Sequence, residues 1–149
     1  MRAVVQRVSE AAVEVDGEVV GAIDRGLLVL VGCAEGDTQD DARLIADRIA
    51  NLRIFEDDEG KMNLSVSDIG GEVLLVPNFT LCGDCRKGRR PSFTGACSPE
   101  QAAGLMDDIA AYVAGTGLSV ARGAFGEKMA VSLVNSGPVT LLLSSDREF

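Results

Sequence analysis

The sequence predicts a mixed α/β domain in which a curved, largely antiparallel β-sheet is layered with two main helices on one side. Three observations carry this. Short apolar runs of strand character outnumber helical stretches, and only two segments keep helical periodicity over several turns. Hairpin signals also alternate with those two segments, so hairpins and helical crossovers must share one sheet. At 149 residues and 46% apolar content, one domain spanning residues 1–149 can form a conventional core without disulfides or metals.

In chain order, Arg2 to Val8 and Ala11 to Val15 read as strands, and Asp16-Gly17 is a two-residue hairpin signal before a strand from Glu18 to Ile23. Gly26 to Cys33 is a continuous apolar run of strand length, as expected of a strand covered on both faces. Asp37-Thr38 offers an N-cap. Ala42, Ile45, Ile49 and Leu52 then fall on one helical face, so the first helix is predicted to run to about Leu52. Arg53-Ile54-Phe55 reads as a short strand, Glu56 to Gly60 as a solvated acidic turn, and Gly71 to Phe79 as a central strand.

Ser98-Pro99-Glu100-Gln101 combines a serine N-cap, proline at the first helical position and glutamine three residues after the cap. Ala102, Leu105, Met106, Ile109 and Val113 keep helical spacing behind it, and Gly115-Thr116-Gly117 ends the helix. Strands are predicted over Leu118 to Ala121 and Met129 to Val134. The last strand follows an interruption, Asn135-Ser136-Gly137-Pro138, set inside an apolar run that resumes at Val139. Proline donates no ladder hydrogen bond, glycine admits backbone angles closed to other residues, and a cis X-Pro bond costs only about 0.5 to 1 kcal/mol. The interruption is therefore either a hairpin turn or a shaped corner within one strand.

Composition removes several function classes. The chain has no histidine, which excludes Ser-His-Asp and Cys-His nucleophile systems, His-ligated zinc and the usual general base near neutral pH. No Walker or Rossmann glycine pattern calls for a nucleotide cofactor, so none is expected. Charge at Arg2 and Arg7, where a secretory segment would be apolar, and the lack of any membrane-spanning run predict a soluble cytoplasmic protein without membrane contact. The net charge of −9 argues against nonspecific nucleic-acid binding through a uniformly basic surface.

Three constellations carry possible chemistry. Pro77-Asn78-Phe79-Thr80 closes an apolar strand with an amide, a ring and a hydroxyl, where a threonine more often caps backbone than attacks substrate. Arg86-Lys87-Gly88-Arg89-Arg90 places basic residues against the sign of the whole chain, as either a solvated face or a phosphate-binding loop. Cys82-Gly83-Asp84-Cys85 has the spacing of a redox or zinc half-site. Without histidine, a zinc site would need Cys97, Cys33 or a carboxylate, and small loop-filling thiols are the simpler account, so no metal is expected.

Together these segments resemble the D-aminoacyl-tRNA deacylases of the D-tyrosyl-tRNA deacylase type across the whole chain. The resemblance is carried by Val5-Gln6-Arg7-Val8, Asn51-Leu52-Arg53-Ile54-Phe55, Gly60-Lys61-Met62-Asn63-Leu64, Gly88-Arg89-Arg90-Pro91-Ser92-Phe93 and Val131 through Thr140. It implies a homodimer that acts on D-aminoacyl-tRNA, and on glycine mischarged on tRNA-Ala, and not on DNA. It also implies a chirality filter in which Gly137-Pro138, with Asn135 and Arg7, serves the partner's active site. Pro77, Asn78, Phe79 and Thr80 would form the catalytic wall, and Arg86, Lys87, Arg89, Arg90, Phe125 and Met129 would contact tRNA.

The family's Ser-Gln is replaced here by Pro77-Asn78, while Phe79 and Thr80 match it. A related animal deacylase with relaxed chirality also carries proline at the first of these positions. The resemblance therefore leaves open a tRNA-binding or relaxed-chirality proofreading homologue. An accessory RNA-binding module and a thiol or metal protein built on Cys82 and Cys85 are the readings from other classes.

Overall fold

The computed structural model describes residues 1–149. The chain order is β1 (Arg2–Val15), β2 (Glu18–Ile23), β3 (Gly26–Gly32), α1 (Gln39–Asn51), β4 (Phe55–Glu56), β5 (Met62–Leu64), β6 (Glu72–Pro77), α2 (Pro99–Gly115), β7 (Ser119–Arg122) and β8 (Ala130–Ser144). A single 3-10 turn, Phe79–Cys82, follows β6.

The main sheet runs β2-β1-β3-β6-β7, with β8 added along β1. β1 pairs antiparallel with β2, β3 and β8, whereas β3–β6 and β6–β7 are parallel. Parallel neighbours require crossovers, and α1 and α2 lie in the two that lead from β3 to β6 and from β6 to β7. Both steps advance in the same direction across the sheet, so right-handed crossovers put both helices on one face.

Strand periodicity divides the interior in two. Leu27, Val29 and Val31 of β3 join Ile45 and Ile49 of α1 and Met106 and Ile109 of α2 in the larger core. The alternate residue Leu28 faces the other side, with Leu74, Val76, Val8 and Val13. β3 is thus covered on both faces, which is why its sequence is apolar throughout. β1 crosses from one core to the other, contributing Ala3 and Val5 to the first and Val8, Ala11 and Val13 to the second. The open side of the sheet curls until β2 meets β7, and a side chain at Gly21 would collide with the Arg122 carbonyl.

The caps act largely as their sequences require. Asp41 accepts a hydrogen bond from the Thr38 N–H at 2.8 Å to open α1, and Ser98 Oγ accepts one from Gln101 N–H at 3.2 Å to open α2. The acidic turn is more shaped than a solvated run: the Asp57 carboxylate accepts from the N–H groups of Glu59 and Lys61 at 2.9 and 3.0 Å. Those backbone donors, Lys61 first, hold the Asp57 carboxyl below the usual carboxylate range.

Several boundaries differ from expectation. The two strands predicted over residues 2–15 are one, because Ser9 and Glu10 mark an irregularity in pairing and not a turn. The short strand after α1 is Phe55–Glu56 and pairs with β5, which has no strong alternation to announce it. β6 stops at Pro77 instead of Phe79, because the chain turns into the 3-10 segment there. The two segments flanking Gly137-Pro138 are likewise a single strand, β8, with both halves on β1. That geometry excludes a hairpin and makes the interruption a large bulge. No helix is long and apolar enough to cross a membrane.

Candidate active site

The principal cavity, about 560 Å³, opens at the carboxyl ends of the parallel strands β3 and β6. Such ends gather loops and leave main-chain groups unpaired, which is why sites collect there. β6 delivers Pro77 to the cavity opposite Val31, and the Asn78 N–H still reaches the Val31 carbonyl at 2.8 Å. Proline at 77 thus leaves the strand end in register. The chain then tightens, with Leu81 N–H donating to the Asn78 carbonyl and Gly83 N–H to that of Thr80. Phe79 and Thr80 open this turn, where N–H groups have no acceptor within the turn itself.

Pro77, Asn78, Phe79, Phe125 and Met129 all line this one cavity. Phe79 is 58% and Phe125 40% exposed, so two rings border an apolar opening, an arrangement suited to stacking on a nucleobase. Phe79 is steadied from behind by an edge-to-face contact with Phe93, centroids 5.2 Å apart. The Thr80 hydroxyl donates to Asn78 Oδ1 at 2.5 Å and is not among the lining groups. That bond occupies the amide oxygen and leaves the Asn78 NH₂ as its free end.

Arg7, Asn135, Gly137 and Pro138 come together elsewhere. Gln6 pairs with Thr140 and Val8 with Asn135, so the single residue Arg7 faces the four residues Ser136 to Val139. Arg7 fills the gap while only 8% exposed, donating from Nε to the Ser136 carbonyl at 3.0 Å and from Nη1 to the Ile54 carbonyl at 2.9 Å. Asn135 spans the bulge from the other side. Its Nδ2 donates to Thr140 Oγ1 at 2.9 Å, and its Oδ1 accepts from Val139 N–H at 3.1 Å. Gly137 sits at φ +126°, and a Cβ there would meet Arg7 Nη2 at 2.7 Å. The Gly137-Pro138 bond is cis, and both residues are exposed.

This corner is remote from the cavity of its own chain. Val31, on the cavity wall, pairs with Ala3, whereas Gly26, five residues earlier on β3, pairs with Val8 beside the corner. At about 3.3 Å per residue the two lie roughly 16 Å apart along the strand.

Comparison with known proteins places the chain in a family. The family model for D-Tyr-tRNA(Tyr) deacylase matches residues 4–144. The chain belongs to this deacylase family. Relatives named D-aminoacyl-tRNA deacylase include those of Halothermothrix orenii, 56% identical over 100% of both chains, and Thermotoga petrophila, also 56% over 100% of both. That of Roseiflexus castenholzii is 58% identical over 97% of this chain and 92% of its own. A solved structure titled "c-Myc DNA Unwinding Element Binding Protein" superposes with a TM-score of 0.90 at 42% identity, covering 97% of this chain and 98% of that one. A second, titled "Structural Analysis of a probable eukaryotic D-amino acid tRNA deacylase", shares the fold with a TM-score of 0.79 at 19% identity, covering 95% and 97%.

In this deacylase-family chain Arg86, Lys87, Arg89 and Arg90 occupy one loop. Asp84 and Ser92 exchange backbone hydrogen bonds of 2.7 and 2.9 Å that close it, and Phe93, next along, packs on Phe79. Its base is therefore fastened to the cavity rim. Arg86 grips Asp84 through two bonds of 2.9 and 2.7 Å, which hold the Asp84 carboxyl far below its usual range. Lys87, Arg89 and Arg90 are exposed and form no ion pair.

The cysteines separate as well. Cys82 is buried and Cys85 exposed, and no cluster of three or more groups suited to a metal ion is present. Cys33 and Cys97 line the cavity, a placement for which sequence reasoning had no signal because the residues are far apart in the chain. Burial pushes the Cys33 thiol up to about 12, reinforced by neighbouring Cys97, and burial also raises Cys97. Met106, also on the wall, was assigned from sequence only to the α2 core.

Proposed function

We propose that the protein hydrolyses the ester between a D-amino acid, or glycine mischarged on tRNA-Ala, and the terminal ribose of tRNA. It does so as a cytoplasmic homodimer in which each Gly137-Pro138 corner serves the cavity of the other subunit and excludes L-amino acids. Supporting the activity are the family membership and a cavity that joins stacking rings to free backbone donors. The 3′ adenosine stacks between Phe79 and Phe125 with Met129 beneath it. The N–H groups of Phe79 and Thr80 stabilise the oxyanion, with the Asn78 amide beside them. The neighbouring ribose hydroxyl activates the water, which accounts for a hydrolase without histidine. Lys87, Arg89 and Arg90 hold tRNA phosphates.

What carries the trans arrangement is the placement of the corner: braced, exposed and about 16 Å from its own cavity. β8, an edge strand, also exposes Val131, Val134 and Leu142, apolar surface suited to a second copy. A main-chain filter discriminates by collision. A thousandfold preference requires about 4 kcal/mol, which backbone that does not relax supplies more readily than a mobile side chain.

The test is hydrolysis of D-aminoacyl-, L-aminoacyl- and glycyl-tRNA by purified protein, with its mass in solution measured alongside. Cleavage of the D and glycyl esters by a dimer, with the L ester spared, is the expected result. Equal cleavage of D and L esters would instead establish the relaxed-chirality homologue. Binding without turnover would establish an accessory tRNA-binding module, and competition by duplex DNA as strong as that by tRNA would overturn the choice of partner.

A further inference from the structure

Beyond the β3 strand, Ala34 and Ala96 form an isolated antiparallel bridge. Its flanking bonds run from Glu35 N–H to the Gly95 carbonyl at 2.9 Å and from Cys97 N–H to the Cys33 carbonyl at 3.1 Å. That register sets Cys33 directly across from Cys97. Directly opposed residues of an antiparallel pair have Cα atoms about 4.5–5.5 Å apart, within the roughly 4.4–6.8 Å that a disulfide spans. Both residues line the cavity, Cys33 only 4% exposed and Cys97 more accessible.

We propose that Cys33 and Cys97 form a redox pair built into the cavity wall, which clears the cavity of thiol adducts. A small-molecule disulfide, RSSR, enters the cavity and meets Cys97, the more accessible thiol. The Cys97 thiolate attacks one sulfur, an S–S bond to Cys97 forms, the RS–SR bond breaks, and RS⁻ leaves with the bonding pair. The adduct fills the space meant for substrate. The Cys33 thiolate then attacks Cys97 Sγ, forms the Cys33–Cys97 disulfide and expels the second RS⁻. The two protons given up by the cysteines end on the two RS⁻ groups, so RSSR is reduced to two RSH while the cysteine pair is oxidised.

The outcome depends on whether the second thiol is present. The disulfide stays within the wall and leaves the cavity open, whereas an unresolved adduct on Cys97 closes it. Because burial raises both thiols, the exchange is slow near neutral pH and accelerates as pH rises towards their range. The protective role rests on the cavity holding substrate; formation of the disulfide does not.

The experiment uses protein carrying Cys85→Ser, so that the exposed thiol does not report, treated with oxidised glutathione at mildly alkaline pH. Intact mass and peptide mapping should show loss of two hydrogens and a Cys33–Cys97 cross-linked peptide. Deacylation should stay within twofold of the same protein kept reduced. Adding Cys33→Ser should give instead one glutathionyl group on Cys97 and at least a tenfold loss of activity against its own reduced form, restored by reductant. A stable adduct on Cys97 with Cys33 present, or an unmodified Cys97 in both proteins, would overturn the pair. An adduct that leaves deacylation unchanged would overturn its protective role. Failure of untreated protein to hydrolyse any aminoacyl-tRNA is a separate result, which bears on the proposed function alone.

Discussion

The cavity at Pro77–Phe79 and the corner at Ser136–Pro138 present opposite kinds of surface. The cavity is lined by side chains from several elements, among them Asn78, Phe79, Met106 and Phe125, and its central aromatic ring is more than half exposed. The corner presents glycine, proline and main chain, with its specific side chains turned inward as braces: Arg7 on two carbonyls and Asn135 across the bulge. A surface of side chains tolerates exchange, since each contact is one of many and neighbours can repack. A surface of backbone has no such slack, and its shape depends on the groups that brace it from behind. The change of Ser-Gln to Pro77-Asn78 falls in the region where that contrast predicts tolerance.

The sharpest way to break the contrast is Gly137→Ala. An added Cβ meets Arg7 Nη2 at 2.7 Å and Val139 Cγ2 at 2.9 Å on a backbone at φ +126°. The cost in stability should be about 1–3 kcal/mol, read by denaturant unfolding, with D-over-L preference falling by roughly a hundredfold in paired deacylation assays. Next is Arg7→Ala, which strips the donors from the Ser136 and Ile54 carbonyls. Preference should fall by about tenfold or more while turnover of the D ester changes less, and Arg7→Lys should not restore it, since one ammonium cannot reproduce a planar fork serving two carbonyls. If either variant keeps full preference, the corner is not the filter.

Smaller effects test the cavity side. Replacing Lys87, Arg89 and Arg90 by alanine should reduce the slope of log affinity for tRNA against log salt by about 2 to 3, at roughly 0.7–0.9 per phosphate lost. Arg86→Ala should alter it least of the four, because Asp84 already balances that charge. An equal contribution from Arg86 would show that tRNA displaces Asp84. The smallest change is expected for Thr80→Ala, less than about tenfold in kcat/KM, since its hydroxyl holds Asn78 Oδ1 and does not line the cavity. A loss of several orders of magnitude in well-folded protein would instead make Thr80 the nucleophile.

Much of this was legible in the chain because it depends on local rules. Ser98-Pro99 and Thr38 open helices through contacts within one turn, β3 declares its two-sided burial by an unbroken apolar run, and the Gly137-Pro138 break follows from two backbones that do not continue a ladder. What stayed hidden depends on pairing partners. No local pattern says that both halves of β8 lie on the same strand or that Cys33 and Cys97 face one another, and Arg7 was joined to the corner by the resemblance and not by any local pattern. Composition likewise marked the basic loop but not that Asp84 cancels part of it, since that requires the loop to close at Ser92. The resemblance to a family put Pro77 and Phe79 in the catalytic wall and Phe125 and Met129 among the tRNA contacts; that all four line one cavity emerges only from the fold.

β1 is the first strand in chain order and β8 the last, and Gln6 and Thr140, hydrogen-bonded across that ladder, are 134 residues apart. Loops this long close at an entropic cost that grows only slowly with length, but the contacts that repay it arrive late, so folding should be slow for a domain of this size. During synthesis the central strand leaves the ribosome among the first segments and waits for its partner until almost all of the chain is made. A chain stopped before β8 would expose one long edge of β1 together with the flanks of both cores. Such an intermediate invites pairing with another nascent chain, and a chaperone that shields strand edges should raise the yield of this protein more than one that only covers apolar patches.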